Sequence, residues 1–372
     1  MNLFVFMTFS MSIKKWAETG LLEREIALYK KFIEKGYSVT LVSYGGEEDY
    51  YYENIVAPIR ILPVYSIVEI PHWKYVRYIQ SLFLPFYAKD IAKADLLKTN
   101  QMWGSWVALI AGIVYRKKVI VRCGYEQFRF ALLTKMPISF KVITYINSLL
   151  SYFLSAAIII TTEKAKEFIR KYFIVPQSKI HVVYNYVNTD KFCLMNKPRV
   201  ADRLLFVGRL EKQKNIFALL DAVKKVGCGI DLYGAGEQYD EIESYIRTCA
   251  IDARLMGVVS NDALPSIYNQ YEIYILPSLC EGMPKTLLEA MACGCAVIGS
   301  NIDGINNIIV HGKNGCLCDT TTAGITDAIT LIQKDASLRM RIAQEAWKTI
   351  QDFYALHKIA EQEMALYHKV LA

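Results

Sequence analysis

Pro277-Ser278-Leu279-Cys280-Glu281-Gly282-Met283-Pro284-Lys285-Thr286-Leu287-Leu288-Glu289-Ala290-Met291-Ala292-Cys293-Gly294 lies between two short apolar runs, Ile273 to Leu276 and Ala296 to Gly299. The local signals read strand, loop, helix, strand. Pro284 suits the first helical turn, where its missing N–H is not needed, Leu287 to Met291 continue the helix, and Gly294 suits a left-handed stop. Two strands joined through a helix form the crossover unit of a parallel sheet. In such a sheet ligands bind beyond the carboxyl ends of the strands, where a helix N-terminus also offers free N–H groups to an anion. Glu281 falls in that loop and Glu289 within the helix.

The same alternation extends outward in both directions. The second half carries strand-like runs at Leu204 to Val207, Gly229 to Tyr233 and Ile251 to Met256 before the quoted stretch. The first half opens with Leu3 to Phe6, an amphipathic stretch from Leu22 to Lys35 stopped at Gly36, and Ser38 to Ser43, a βαβ opening. Further strands are expected at Arg60 to Leu62, Leu96 to Thr99, Lys118 to Arg122, Ala157 to Thr161 and Ile180 to Tyr184. A polar, irregular stretch from Met195 to Asp202 separates the halves and is read as the linker. From Thr322 onward the pattern is helical to the end, with no Pro or Gly after Gly324. The expectation is two tandem doubly wound α/β domains, 1–195 and 200–355, with 356–372 a helix packing back on the first. A length of 372 residues agrees with two domains of about 150 to 200 each.

Composition narrows the function classes. With 53% hydrophobic and 21% charged residues, and a mean hydropathy of +0.20, a substantial buried core is expected. The first residues lack the pattern of a signal peptide, and the longest apolar run, Leu149 to Ile160, is broken by Ser151 and Ser155 and too short to span a bilayer. The nine cysteines do not fall at zinc-binding spacings and are expected to be reduced, mostly buried thiols in a cytoplasmic protein. Residues 1–195 hold 25 Lys and Arg against 15 Asp and Glu, whereas 196–372 hold 18 against 21. A basic half suits nucleic acid, an acidic substrate or an anionic membrane, and its sign alone does not choose. No nucleic-acid motif and no dense basic stripe is present, so no nucleic-acid partner is expected.

Two carboxylates near a strand end can grip sugar hydroxyls, since each accepts several hydrogen bonds; the bland alternative leaves Glu289 on a helix surface. Phe206-Val207-Gly208-Arg209-Leu210-Glu211-Lys212-Gln213-Lys214-Asn215 places an Arg and a Lys just past a strand, where a guanidinium fork and a point charge can stabilise a departing phosphate without a metal. A solvated basic loop is the alternative. No Asp-x-Asp motif is present, and no metal or other cofactor is expected. Gly234 and Gly236 hint at a dinucleotide fingerprint, but Tyr239 stands at its third glycine.

The segment from Glu281 to Glu289, two glutamates separated by seven residues, resembles the signature of family 4 retaining glycosyltransferases of the GT-B fold. The Phe206 to Asn215 segment is similar to the strand and loop of that family carrying the diphosphate-holding Arg and Lys. The resemblance implies two facing Rossmann-like domains. It implies that Glu281 contacts the donor sugar and Glu289 the ribose, with Arg209 and Lys214 at the diphosphate. Gly208, Gly282, Met283, Pro284 and Lys285 would complete the donor site. Ile180 to Phe192 is similar to the family's interdomain segment, with Tyr186 and Asn188 in place of its usual Gly and Asp. Thr19-Gly20 resembles its first glycine turn, where Gly20 would let backbone approach a phosphate; a plain glycine at a helix start is the rival. The family histidine near the reacting carbon is missing: that stretch reads Val121-Arg122-Cys123-Gly124-Tyr125, and the resemblance implies that some of its acceptor-side role falls to Arg122, Tyr125 or backbone groups.

The implied activity is retaining transfer of a hexose-type sugar from a nucleotide-sugar to a glycan or lipid-linked acceptor, in cell-surface polysaccharide or glycolipid assembly. A sugar-nucleotide-binding protein without transferase activity is the alternative. His72 to Tyr87 and Arg129 to Lys135 mix aromatic and basic residues, which suits peripheral contact with the cytoplasmic face of a membrane; ordinary core-facing helices are the other reading.

Overall fold

The computed structural model describes residues 1–372 except Pro71, Tyr125 and Lys135, and except the side chains of Lys74 and Ala201. The chain divides into two compact units, Met1–Tyr184 with Ile359–Ala372, and Asn185–Lys358.

The first unit is built on a parallel sheet of seven strands: β1 (Asn2–Phe6), β2 (Ser38–Ser43), β3 (Arg60–Pro63), β4 (Leu96–Thr99), β5 (Lys118–Cys123), β6 (Ala157–Ile160) and β7 (Ile180–Val182). Their order is β3-β2-β1-β4-β5-β6-β7, so the winding reverses between β1 and β4. In register, Leu3 of β1 lies beside Val39 on one side and Leu96 on the other. Val5, Leu41, Leu97, Ile120 and Ile159 are fully buried, as strands covered on both faces require.

The second unit repeats the plan with β8 (Val200–Val207), β9 (Gly229–Tyr233), β10 (Ala253–Gly257), β11 (Tyr271–Leu276), β12 (Ala296–Ser300) and β13 (Cys316–Cys318), ordered β10-β9-β8-β11-β12-β13. Its winding reverses between β8 and β11. The expected doubly wound architecture is therefore present in both units.

Two details differ from the sequence reading. β8 begins at Val200, inside the expected linker, and its pairing to β11 is irregular between Tyr271 and Ile273. An edge strand, β13, was not foreseen. Its Cys-Leu-Cys run is too short for a period to register. The apolar run Leu149 to Ile160 is the end of a helix, Ile138–Leu154, followed by β6. Among the described residues no helix is long and apolar enough to cross a membrane.

The C-terminal helix Leu356–Leu371 follows a π-helical turn, Ile350–Tyr354. From Ile359 onward it belongs to the first unit and is held there by a buried ion cluster. Glu363, fully buried, accepts from Lys98 of β4, from Arg122 of β5 at 2.5 Å and from the Tyr367 hydroxyl. The rings of Tyr29, Phe32 and Tyr367 surround the Lys98 ammonium, with centroids 5.3, 5.9 and 5.6 Å away. All nine cysteines are free thiols. Burial pushes those of Cys316 and Cys318 up to about 11 and 12, so they stay protonated and inert.

Candidate functional site

The site begins at the winding reversal of the second unit, where the loops after β8 and β11 meet. The loop after β8 turns through a short 3-10 helix, Lys212–Lys214, and ends at Asn215 in the left-handed region, φ 59°. Asparagine tolerates that conformation and here uses its amide as a tie. Its Nδ2 donates to the Pro277 carbonyl at 3.2 Å and the Thr320 carbonyl at 2.8 Å, joining the loops after β8, β11 and β13. Gln213 adds a second tie: its Nε2 donates to the Cys280 carbonyl at 2.6 Å, and its own carbonyl accepts the Leu279 N–H at 2.8 Å.

These ties bring two predicted residues together. Lys214 Nζ lies 2.5 Å from Glu281 Oε1, and the Ser278 hydroxyl donates to the same oxygen at 2.7 Å. The two charged side chains are 11% and 8% exposed, so the pair is desolvated but still touches solvent. Both donors converge on Oε1, which leaves Oε2 without a hydrogen bond among the described residues.

The other predicted residues occupy different settings. Arg209 is 69% exposed and pairs with Glu211 of its own loop at 2.9 Å. Glu289 is buried in the helix Lys285–Ala292 and accepts from the Tyr268 hydroxyl at 3.2 Å. Burial, then the nearby Glu289 carboxylate, pushes the Tyr268 hydroxyl well above its ordinary value, so it remains a donor. The helix-surface alternative for Glu289 is thereby excluded. Pro284 is the N-cap of that helix, one residue before its first turn. Met283 accepts the Asn185 amide on its carbonyl at 2.9 Å, and Lys285 Nζ stands 5.1 Å from the Tyr186 ring centroid.

Backbone packing around the site is tight enough to require glycine. A Cβ on Gly234, at φ 144°, would lie 1.9 Å from the Gly208 carbonyl oxygen. One on Gly304, at φ 90°, would lie 2.0 Å from the Gly282 carbonyl oxygen. Gly208 and Gly282 are thus held by facing loops that only glycine can build so closely. Ser278, Gln213, Asn215 and Gly304 are contributors that sequence reasoning did not single out. The αL-tolerant Asn after a basic loop was the signal within reach for Asn215.

In the first unit, Gly20 has φ 67° and follows the helix Ile13–Glu18. Its N–H donates to Ala17, and the Leu21 N–H reaches back to the Trp16 carbonyl at 2.8 Å. This is a left-handed helix stop, a different place from a turn directly off β1. Arg122 requires a correction. It is 6% exposed and bound to Glu363, so its guanidinium is committed to the buried cluster and is not offered to an acceptor. Strand position alone could not reveal a partner on a helix 241 residues away. Tyr125 lies outside the described residues.

Two parallel-sheet α/β units, each doubly wound, are the architecture of the GT-B fold class. A family model described as Glycosyl transferases group 1 matches residues 196–349, and one described as Glycosyltransferase Family 4 matches residues 26–191. The chain belongs to the group 1 glycosyl transferases of family 4 type. An uncharacterized glycosyltransferase of Methanocaldococcus jannaschii is 28% identical over 59% of this chain and 61% of its own. The N-acetyl-alpha-D-glucosaminyl L-malate synthase of Bacillus anthracis is 26% identical over 53% of this chain and 55% of its own. The match thus spans little more than half the length of these relatives. Among solved structures, sucrose-phosphate synthase from Thermosynechococcus elongatus superposes with a TM-score of 0.82 at 15% identity, covering 100% of this chain and 99% of that one. Anabaena HepE in complex with UDP and glucose gives 0.76 at 15% identity, covering 99% of each chain.

Proposed function

We propose that this protein is a retaining glycosyltransferase that moves a hexose-type sugar from a nucleotide-sugar to a hydroxyl of a glycan or lipid-linked saccharide, in cell-surface polysaccharide or glycolipid assembly. The observation that carries the reading is the Lys214–Glu281 pair with Ser278, set beyond the ends of β8 and β11. Glu281 would use Oε2 to accept from hydroxyls of the donor sugar while Lys214 and Ser278 hold Oε1. Lys214 and the exposed Arg209 would take up negative charge on the departing nucleoside diphosphate, the role a metal plays elsewhere. Glu289 would reach the ribose, and the free N–H groups of the helix Lys285–Ala292, behind the loop Gly282 to Pro284, would face the phosphates. Gly208 would admit the donor close to backbone.

In the reaction, the bond from the anomeric carbon to the diphosphate oxygen breaks as the acceptor oxygen attacks the same face. The acceptor proton leaves with the diphosphate. One relative, from Escherichia coli and 30% identical over 41% of this chain and 45% of its own, is named a UDP-Gal:alpha-D-GlcNAc-diphosphoundecaprenol alpha-1,3-galactosyltransferase. That name supports a lipid-linked acceptor. We place the reaction in the cytoplasm, with peripheral contact to an anionic membrane.

The test is nucleoside diphosphate release from UDP-, GDP- and ADP-sugars in the presence of a membrane-lipid extract, followed by NMR of the product's anomeric proton. One donor consumed, with its anomeric configuration kept and no effect of chelator, is the expected result. Tight donor binding with no turnover under any acceptor condition would support a binding protein in its place.

A further inference from the structure

We propose that one face of the first unit, formed by the helices Lys74–Ser81, Ser105–Tyr115 and Ile138–Leu154, is a lipid-docking surface that lies in the interface of an anionic membrane. This deepens the membrane part of the reading above and is independent of the transfer reaction.

The helix Ile138–Leu154 is inside out. Its buried residues are Thr144, Ser148, Ser151 and Tyr152, whereas Val142, Ile143, Ile146, Leu150 and Phe153 are exposed, Phe153 to 73%. A helix on a water-facing surface has the opposite arrangement. The polar side is fixed inward: Ser148 and Tyr152 donate to Glu126 Oε1 at 2.8 and 3.2 Å, and Ser151 shares a hydrogen bond of 2.7 Å with Ser105. Rotating the helix to bury its apolar side would strip the buried Glu126 carboxylate of these partners, so the apolar side stays outward.

The exposed apolar surface is continuous with neighbouring elements. The connections β3 to β4, β4 to β5 and β5 to β6 all advance in one direction along the sheet, so right-handed crossovers put their helices on one face. Trp106 donates to Ser81 at 2.8 Å and Tyr115 to the Pro85 carbonyl at 2.6 Å, which ties the segment 74–87 to the helix Ser105–Tyr115. On that segment and its N-cap Trp73, the side chains of Trp73, Tyr75, Ile79, Phe83 and Phe86 are exposed, Trp73 to 75%.

Charge selects the occupant. Apart from the buried Lys98, Arg122 and Glu126, residues 72–154 hold 10 Lys and Arg against 2 Asp and Glu, whereas the rest of 1–195 holds 13 against 12. Nearly all the positive excess of the first half therefore lies in the segment that exposes these apolar side chains. A second copy docked face to face would set that excess against itself, while anionic headgroups complement it. The helix is 17 residues long, about 25 Å, with its inner side hydrogen-bonded, so it lies in the interface and does not span it.

The experiment is flotation of the full chain with phosphatidylcholine vesicles containing about one third phosphatidylglycerol, with phosphatidylcholine alone as comparison. Ile143→Glu/Ile146→Glu and Phe153→Glu are set against Met340→Glu, an equally exposed apolar site in the second unit. The wild type and Met340→Glu are expected to float with the anionic vesicles, several-fold less at about 0.5 M salt. The outer-face variants should float about tenfold less, with thermal melting and donor turnover in detergent unchanged. The proposal is overturned if the wild type does not float, if the outer-face variants float equally, or if sedimentation shows a dimer that these variants dissociate. Absence of transferase activity would leave the flotation result intact and bear only on the proposed reaction.

Discussion

Two lysine–glutamate pairs, one in each unit, have similar short contacts and very different settings. Lys98 and Glu363 belong to the core of the first unit: both are fully buried, Lys98 sits within β4, and Arg122 of β5 and Tyr367 complete the cluster. Lys214 and Glu281 lie just beyond β8 and β11, partly exposed, on loops tied by Gln213 and Asn215. A pair sealed between strand and helix holds a segment in place. One poised past the strand ends, with a carboxylate oxygen to spare, is suited to a ligand. Residue type and contact distance do not separate the two; place in the sheet does.

The comparison breaks if exchanging roles has no consequence. Glu363→Ala, which leaves buried cations without their counter-ion, should cost about 3 to 5 kcal/mol of unfolding free energy in chemical denaturation. The C-terminal helix should become the first site of proteolysis. Glu281→Ala should leave stability within about 1 kcal/mol of wild type and lower kcat/KM for the donor by about 10² to 10³. If Glu281→Ala unfolds the protein and Glu363→Ala does not, the two settings have been read the wrong way round.

Acid sharpens the difference. The Lys98 and Arg122 cations hold Glu363 below the usual carboxylate range despite its burial, while burial takes Lys98 down to about 8 against the pull of Glu363. A carboxylate with a lowered folded value stabilises the fold above its unfolded value, about 4.3, and that contribution is lost as pH falls through the folded value. Wild type should therefore lose stability steeply below about pH 4.3, and Glu363→Gln should have a flatter acid limb in a pH series of melting curves. The smallest effect is expected at Gly20. A side chain there meets no neighbour within 4 Å, so Gly20→Ala should cost only the strain of φ 67°, about 1 kcal/mol. Melting curves of wild type and Gly20→Ala measure that cost directly.

Most strands of both sheets were legible because β1, β2, β9 and β11 are short runs rich in apolar and β-branched residues between helical stretches. The Glu281 loop and Lys214 were legible because each follows such a run. What was hidden is set by distance in sequence or by surroundings. Arg122 was placed at an acceptor because nothing near it discloses Glu363, and β8 hides its first residues behind Arg199 and Asp202, which read as linker. The helix Ile138–Leu154 has a clear apolar stripe, but periodicity does not say which way a stripe faces. That depended on Glu126 drawing Ser148 and Tyr152 inward. Asp303-Gly304 reads as an ordinary turn, and the need for glycine there arises only where its loop meets the Gly282 carbonyl.

The most direct measurement is the rate of nucleoside diphosphate release at saturating donor and acceptor for wild type and Glu281→Gln, at a temperature where melting curves show both folded. A loss of about 10² or more in the variant, with its melting temperature unchanged, is predicted. Equal rates in the two proteins would contradict the assignment of Glu281 to the donor sugar and with it the account of the site.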